Sequence, residues 1–155
     1  MKLDSIDVRI LDILQRDAEQ QVAQIAAQVG LSATPCWRRI QRLKEAGVIT
    51  RQVALVDPQK VNVGVTVFVS VRTSTHTQAW FEQFRATVQA IPEVVEFYRM
   101  SGDVDYLLRV VVPDIAAYDR VYKRLTDGTR LHDVSSSFAM EELKLTTALP
   151  LSYAH

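Results

Sequence analysis

The 155 residues carry 18 lysines and arginines, 18 aspartates and glutamates and three histidines, so the chain has no formal net charge. Hydrophobic residues make up 48% of it, which excludes a solvated, disordered tail and allows one domain or two small ones. Zero net charge excludes a uniformly basic coat, although a global sum can hide a local patch, and the single Cys36 excludes an intrachain disulfide or a multi-cysteine zinc site.

Such a patch exists. The first 60 residues hold nine cations against seven carboxylates, and between positions 31 and 51 Arg38, Arg39, Arg42, Lys44 and Arg51 face only Glu45. The start, Met1 to Asp7, is short and charged and runs directly into a helical pattern, unlike a signal peptide. The longest apolar run, Val63 to Val71, is interrupted by Gly64, Thr66 and Ser70 and is too short for a membrane-spanning helix. The expected location is the cytoplasm.

In chain order, Ile6, Ile10, Leu11 and Leu14 recur at helical spacing, with Asp4 or Ser5 as cap and Asp7 in the first turn. A second helix fits Val22 to Val29, ended by Gly30 in the position that favours a left-handed C-cap. A third opens at Ser32 as N-cap, takes Pro35 in its first turn and runs to about Ala46, where Gly47 stops it. Trp37, Ile40 and Leu43 are its expected apolar positions, with Trp37 partly buried against the bundle and Cys36 a small packed side chain. Two short helices joined by a tight glycine turn, the second bearing arginines, form a helix-turn-helix pattern. Duplex DNA requires a helix that enters the major groove and cations for phosphate. The candidate DNA contacts are therefore Ser32, Ala33 and Thr34 at the helix start, with Arg38, Arg39 and Arg42 behind them and Trp37 as a further candidate. A plain three-helix bundle with solvated arginines has the same spacing.

Residues 49–56 read as a strand or extended linker, broken by Asp57-Pro58. The expected division is a winged helix-turn-helix domain over residues 1–50, an extended hinge over 51–63 and a second domain over 64–155. In that second domain, Val65, Val67, Val69 and Val71 alternate with Thr66, Phe68, Ser70 and Arg72, a strand with one apolar face. A helix follows over 77–90 (Trp80, Phe81, Phe84, Val88), a strand over 94–100, a turn at Gly102-Asp103 and a strand over 106–112. Ile115, Tyr118, Val121, Tyr122 and Leu125 mark another helix, and Val134 to Leu143 a last strand. The order βαββαβ predicts an α+β, ferredoxin-like domain: a four-stranded antiparallel sheet with two helices on one face. Its other face, with Phe68, Val110 and Val112 left wet in a monomer, predicts a dimer through this domain.

Four blocks carry a resemblance: Leu3-Asp4-Ser5-Ile6-Asp7 with Ile10-Leu11; Leu31 through Ile40 with Arg42-Leu43 and Gly47-Val48-Ile49; Ser101 through Leu108; and Ser136 through Glu142. In this order and at these separations the chain resembles the Lrp/AsnC family of leucine-responsive and asparagine-responsive regulators, over nearly its whole length. The resemblance implies a transcription regulator that binds double-stranded DNA and forms dimers that assemble further, to octamers for example. It also implies a C-terminal domain of the RAM type that binds a free amino acid between subunits. The turn Ser101-Gly102-Asp103-Val104-Asp105-Tyr106 matches the family's effector loop, and Ser135, Ser136 and Ser137 match a strand segment that lines the same cleft. Asp103 or Asp105 can pair with the ligand's ammonium, and backbone N–H groups around Gly102 can hold its carboxylate. The segment from Ser135 to Pro150 also resembles a cysteine-responsive member, so cysteine, leucine and methionine are the candidate effectors. Where many relatives have Pro-Gly-Val, this chain has Leu131-His132-Asp133-Val134, which makes effector identity harder to carry over.

Two other classes compete. The histidines, His76, His132 and His155, are far apart and in no metal-binding spacing, and no Ser/Cys–His–Asp arrangement is legible, so neither catalysis nor a metal or other cofactor is expected. An effector-independent architectural DNA-binding protein, or a ligand-binding oligomer without DNA function, fits the same elements.

Overall fold

The computed structural model describes residues 2–154; Met1 and His155 lie outside the described residues. Helices α1 (Ser5–Leu14), α2 (Val22–Val29) and α3 (Ala33–Glu45) come first. Then follow β1 (Val65–Arg72), α4 (Gln78–Gln89), β2 (Val94–Arg99), β3 (Tyr106–Val112), α5 (Ile115–Thr126), β4 (Asp133–Phe138) and a 3₁₀ turn at Leu151–Tyr153. The chain divides into two compact units, one made of residues up to Ala54 and those from Leu143 onward, the other of Leu55–Glu142.

The helical unit is built by local signals. Asp4, not Ser5, caps α1: its carboxylate accepts from the amides of Ile6 (2.9 Å) and Asp7 (2.8 Å), while the Asp4 amide donates to Asp7 Oδ2 (3.2 Å), a reciprocal capping box. Gly30 ends α2 at φ 76°, a left-handed backbone that glycine adopts without steric penalty. The core joins Ile10 and Leu11 to Ile25, Ala26 and Val29, and to Cys36, Ile40 and Leu43. The C-terminal residues close this unit, contrary to their expected place with residues 64–142. Leu151 packs on the helical core, and Gln15 exchanges hydrogen bonds with the Leu149 backbone at 2.8 and 3.0 Å. Apolar contact and hydrogen bonds from a side chain to a distant backbone, both invisible to local periodicity, set that grouping.

The second unit is the expected antiparallel sheet, in order β2-β3-β1-β4. Val67, Val69 and Val71 of β1 and Tyr106, Leu108, Val110 and Val112 of β3 are buried with Trp80, Phe84 and Val88 of α4 and Tyr118, Val121 and Leu125 of α5. This corrects the expectation for Val110 and Val112. Both lie in the buried core shared with the helices; Val110 pairs with Val67 and Val112 with Val65, and side chains of paired residues share a face. Phe68, one position out of phase, is 39% exposed on the other face with Leu107, Val111 and Tyr98, beside an Arg109–Glu96 ion pair at 2.9 Å.

One strand expectation is also corrected, and an open choice is narrowed. The last strand ends at Phe138 rather than Leu143, because pairing with β1 runs out at Val67. Of the two readings of the segment after α3, strand or linker, residues 50–57 match the linker: they are exposed and form no strand among the described residues, since no backbone ladder accompanies their apolar alternation.

Candidate functional site

The helix start at Ser32, Ala33 and Thr34 is exposed, and the Ser32 hydroxyl makes no capping hydrogen bond although its backbone has the N-cap conformation. Along α3, Cys36, Ile40 and Leu43 form the buried stripe, at i, i+4 and i+7. Contrary to the i, i+3, i+6 reading that places it partly buried against the bundle, Trp37 is not on that stripe; it is 52% exposed, because the helical period puts Cys36 there instead. The outward stripe is Thr34, Trp37, Arg38, Gln41 and Lys44, of which Gln41 and Lys44 were not among the candidate DNA contacts although their spacing from Thr34 signals them. Burial pushes the Cys36 thiol up, away from thiolate chemistry.

The three arginines separate. Arg38 is exposed and has no carboxylate within ion-pair distance among the described residues. Arg39 Nη1 lies 2.7 Å from Asp4 Oδ2 and 2.8 Å from Asp7 Oδ1. Arg42 Nη2 reaches both oxygens of Asp7, at 2.9 and 2.8 Å. Asp7 is the anchor, with its side chain only 1% exposed. Hydrogen bonding from Arg39 holds the Asp4 carboxyl below its ordinary range, and the Asp4 and Asp7 carboxylates raise the Arg39 guanidinium. The sequence signalled Asp7 only as a first-turn acid.

In the second unit the loop from Ser101 to Asp105 turns at Gly102, whose φ of 103° L side chains rarely adopt and beside which a Cβ would meet open space. The structure distinguishes the two aspartates. Asp105 pins the loop: its amide donates to Val71 O (3.0 Å), its carboxylate accepts from the Thr73 amide (2.8 Å), and its carbonyl accepts from Met100 (2.8 Å). Asp103 is exposed, as are Ser101 and Gly102, and Val104 is half-buried. Tyr106 belongs to the core, with ring centroids 5.4 to 6.0 Å from Phe84, Phe97, Trp80 and Phe81; burial pushes its phenol up.

The three serines do not act together. Ser135 pairs with Ser70 and Ser137 with Phe68, placing both on the open face. Ser136 faces the helices and hydrogen-bonds the Tyr118 hydroxyl. The loop and Ser135 lie at the same end of the sheet, since Val71 pairs with both Tyr106 and Val134. They are separated by the width of β1, about 10 Å from β3 to β4. A groove of about 490 Å³ between α4 and β2, floored by Phe81, Val88, Ile91 and Phe97 and edged by Arg85 and Arg99, had no motif to announce it. Among the described residues no helix is long and apolar enough to cross a membrane.

Comparison with known proteins covers both units. Residues 3–50 match the family profile "Winged helix-turn-helix DNA-binding", and residues 66–149 match "Lrp/AsnC ligand binding domain". The chain is 51% identical to the glutamate uptake regulatory protein of Zymomonas mobilis, over 97% of this chain and 92% of that one. A crystal structure of an AsnC family transcriptional regulator from Agrobacterium tumefaciens superposes with a TM-score of 0.94 at 62% identity, covering 97% and 99% of the two chains. A Neisseria meningitidis transcriptional regulator solved in complex with L-methionine gives 0.92 at 34% identity, over 97% and 98%. A DNA-binding helix-turn-helix followed by this ligand-binding sheet, matched along almost the full chain, places the protein in the Lrp/AsnC family of transcription regulators.

Proposed function

We propose that the protein regulates transcription by presenting α3 to duplex DNA and that a free amino acid, bound where subunits meet, sets its assembly or its DNA affinity. The observation that carries the DNA half is the division of α3 into a sealed apolar stripe and an outward stripe of Thr34, Trp37, Arg38, Gln41 and Lys44. A helix fixed on one side and polar and cationic on the other can enter the major groove without exposing core. Ser32, Ala33 and Thr34 meet the backbone at its N-terminus, where free amides suit phosphate.

For the effector half, Asp103 is the candidate partner of the ligand's ammonium, because the Asp105 carboxylate already holds the Thr73 amide. The exposed Ser135 and Ser137 are the remaining serine candidates. With β1 between them and the loop, a second copy has to supply part of a small-molecule site. The open face around Phe68, Leu107 and Tyr98 supports a homodimer; an octamer rests on the family. Methionine has standing as an effector from the Neisseria relative, whose structure holds it, and cysteine and leucine are the other candidates. The roles of the residues up to about 50 in DNA binding, and of residues 64–142 in effector binding and assembly, follow from this reading.

The test is thermal unfolding against each free amino acid, with the thiol kept reduced, followed by duplex binding with and without any that stabilise. A ligand that binds only the folded state raises the midpoint by mass action. Concentration-dependent stabilisation by one or two amino acids, lost in Asp103→Ala, is the expected result. A flat panel overturns the amino-acid half. Failure to bind the duplex upstream of its own gene, at low salt and at every effector concentration, overturns the DNA half.

A further inference from the structure

We propose that Asp7 is a positioning residue for DNA recognition: it takes Arg39 and Arg42 out of phosphate binding and uses them to set the recognition helix on α1. The inference rests on the DNA-binding reading above and deepens it, because it divides three arginines that sequence treats alike. Arg39 and Arg42 cross from α3 to the N-terminus of α1, over 32 and 35 residues, to reach one carboxylate that solvent barely touches. Asp4 takes the remaining reach of Arg39 at 2.7 Å. Two guanidiniums and two carboxylates thus cancel within this cluster. A guanidinium so held has no uncompensated charge with which to displace a counterion from phosphate, whereas Arg38 is exposed without such a partner.

The geometry also explains why a carboxylate stands at position 7. Asp7 is also fixed by the capping box, through the Asp4 amide at 3.2 Å, so its carboxylate has an anchor on α1 independent of either arginine. Two cations from successive turns of α3 converging on it define both the rotation and the axial position of α3. The outward direction of Thr34, Trp37, Arg38 and Gln41 then follows from α3 being one rigid helix.

The salt dependence of binding counts phosphate contacts and distinguishes the two kinds of arginine. The full-length protein is titrated onto a mixed-sequence duplex across a tenfold range of salt. Arg38→Ala is expected to flatten the plot of log K against log salt by about 0.9, an approximately eightfold smaller loss of affinity over that range. Arg42→Ala and Arg39→Ala are expected to keep the wild-type slope while weakening binding by a constant factor. Asp7→Asn keeps the side chain's size, frees Arg42 and leaves Arg39 only Asp4, so its slope is expected to steepen. Circular dichroism and thermal unfolding establish that each variant is folded; where Asp7→Asn is not, the arginine variants decide. A slope flattened as much by Arg42→Ala as by Arg38→Ala overturns the proposal and leaves the DNA-binding reading standing. A folded Asp7→Asn variant with an unsteepened slope overturns it likewise. Absence of salt-dependent binding by the wild type overturns both.

Discussion

The two units reach a defined structure by different means. The sheet unit has a continuous apolar core in which Trp80, Phe84, Phe97 and Tyr106 interlock with the valines of β1 and β3, and a backbone ladder fixes the register of each strand. The helical unit is smaller, its core among the described residues holds no aromatic ring, and at its edge is a buried carboxylate gripped by two arginines. Helices have no ladder between them, so apolar contact alone leaves rotation and sliding weakly specified, and a directional polar contact can supply what is missing. Among the described residues no charged side chain is fully buried where regular hydrogen bonding sets register; where only side chains set it, Asp7 is.

Breaking this comparison should produce effects of descending size. Phe84→Ala removes the ring at the centre of the sheet unit's aromatic cluster. It should cost about 3–5 kcal/mol in denaturant unfolding, seen in the fluorescence of Trp80, with which Phe84 stacks at 5.1 Å. A loss below about 1 kcal/mol would mean that the sheet unit does not depend on that cluster. Asp7→Ala leaves Arg42 without a carboxylate and Arg39 with Asp4 alone, and should destabilise the helical unit by about 2–3 kcal/mol. That is less than for fully buried pairs, because Arg42 is half exposed. Asp7→Leu sharpens the point. If it is as stable as wild type but binds DNA poorly, the carboxylate serves orientation rather than stability.

Leu151→Ala should cost about 1 kcal/mol and speed amide exchange in α1 and α2 while leaving β1 and β3 unchanged, as expected if the C-terminal turn belongs to the helical unit. Equal acceleration in both units would contradict that grouping. The smallest effect is acid sensitivity. The Asp4 carboxyl is lowered on folding, so its contribution is complete above its unfolded pKa and is lost as pH falls through the lowered folded value. The helical unit should therefore begin to lose stability just below the ordinary carboxylate range. The effect should be weak, since Asp4 is exposed and screened, and Asp4→Asn should remove it.

Much of this was legible in the chain. The alternation in β1, the apolar spacing of α4 and α5, a cap at Asp4 or Ser5 and the stop at Gly30 are each written within a few residues, and each gave an element within a residue or two of its observed place. The order of those elements implied the sheet. Family motifs added the loop at Gly102 and the strand serines. Less legible were the faces and the partners. Trp37 and Cys36 are adjacent, and one residue's rotation of α3 decides which is buried. Strand alternation set Ser136 opposite Ser135 and Ser137, but only pairing with β1 decided that the middle one faces Tyr118.

The sequence by itself determined the elements, their order and the basic character of α3, because helix periodicity, strand alternation and capping act between residues close along the chain. Only the tertiary structure decided which arginines are free, which aspartate pins the loop and where the C-terminal residues pack. Those outcomes depend on contacts such as Arg42 to Asp7, 35 residues apart, and Gln15 to Leu149, 134 apart. Contacts of that range form only once the chain's path has brought their partners together.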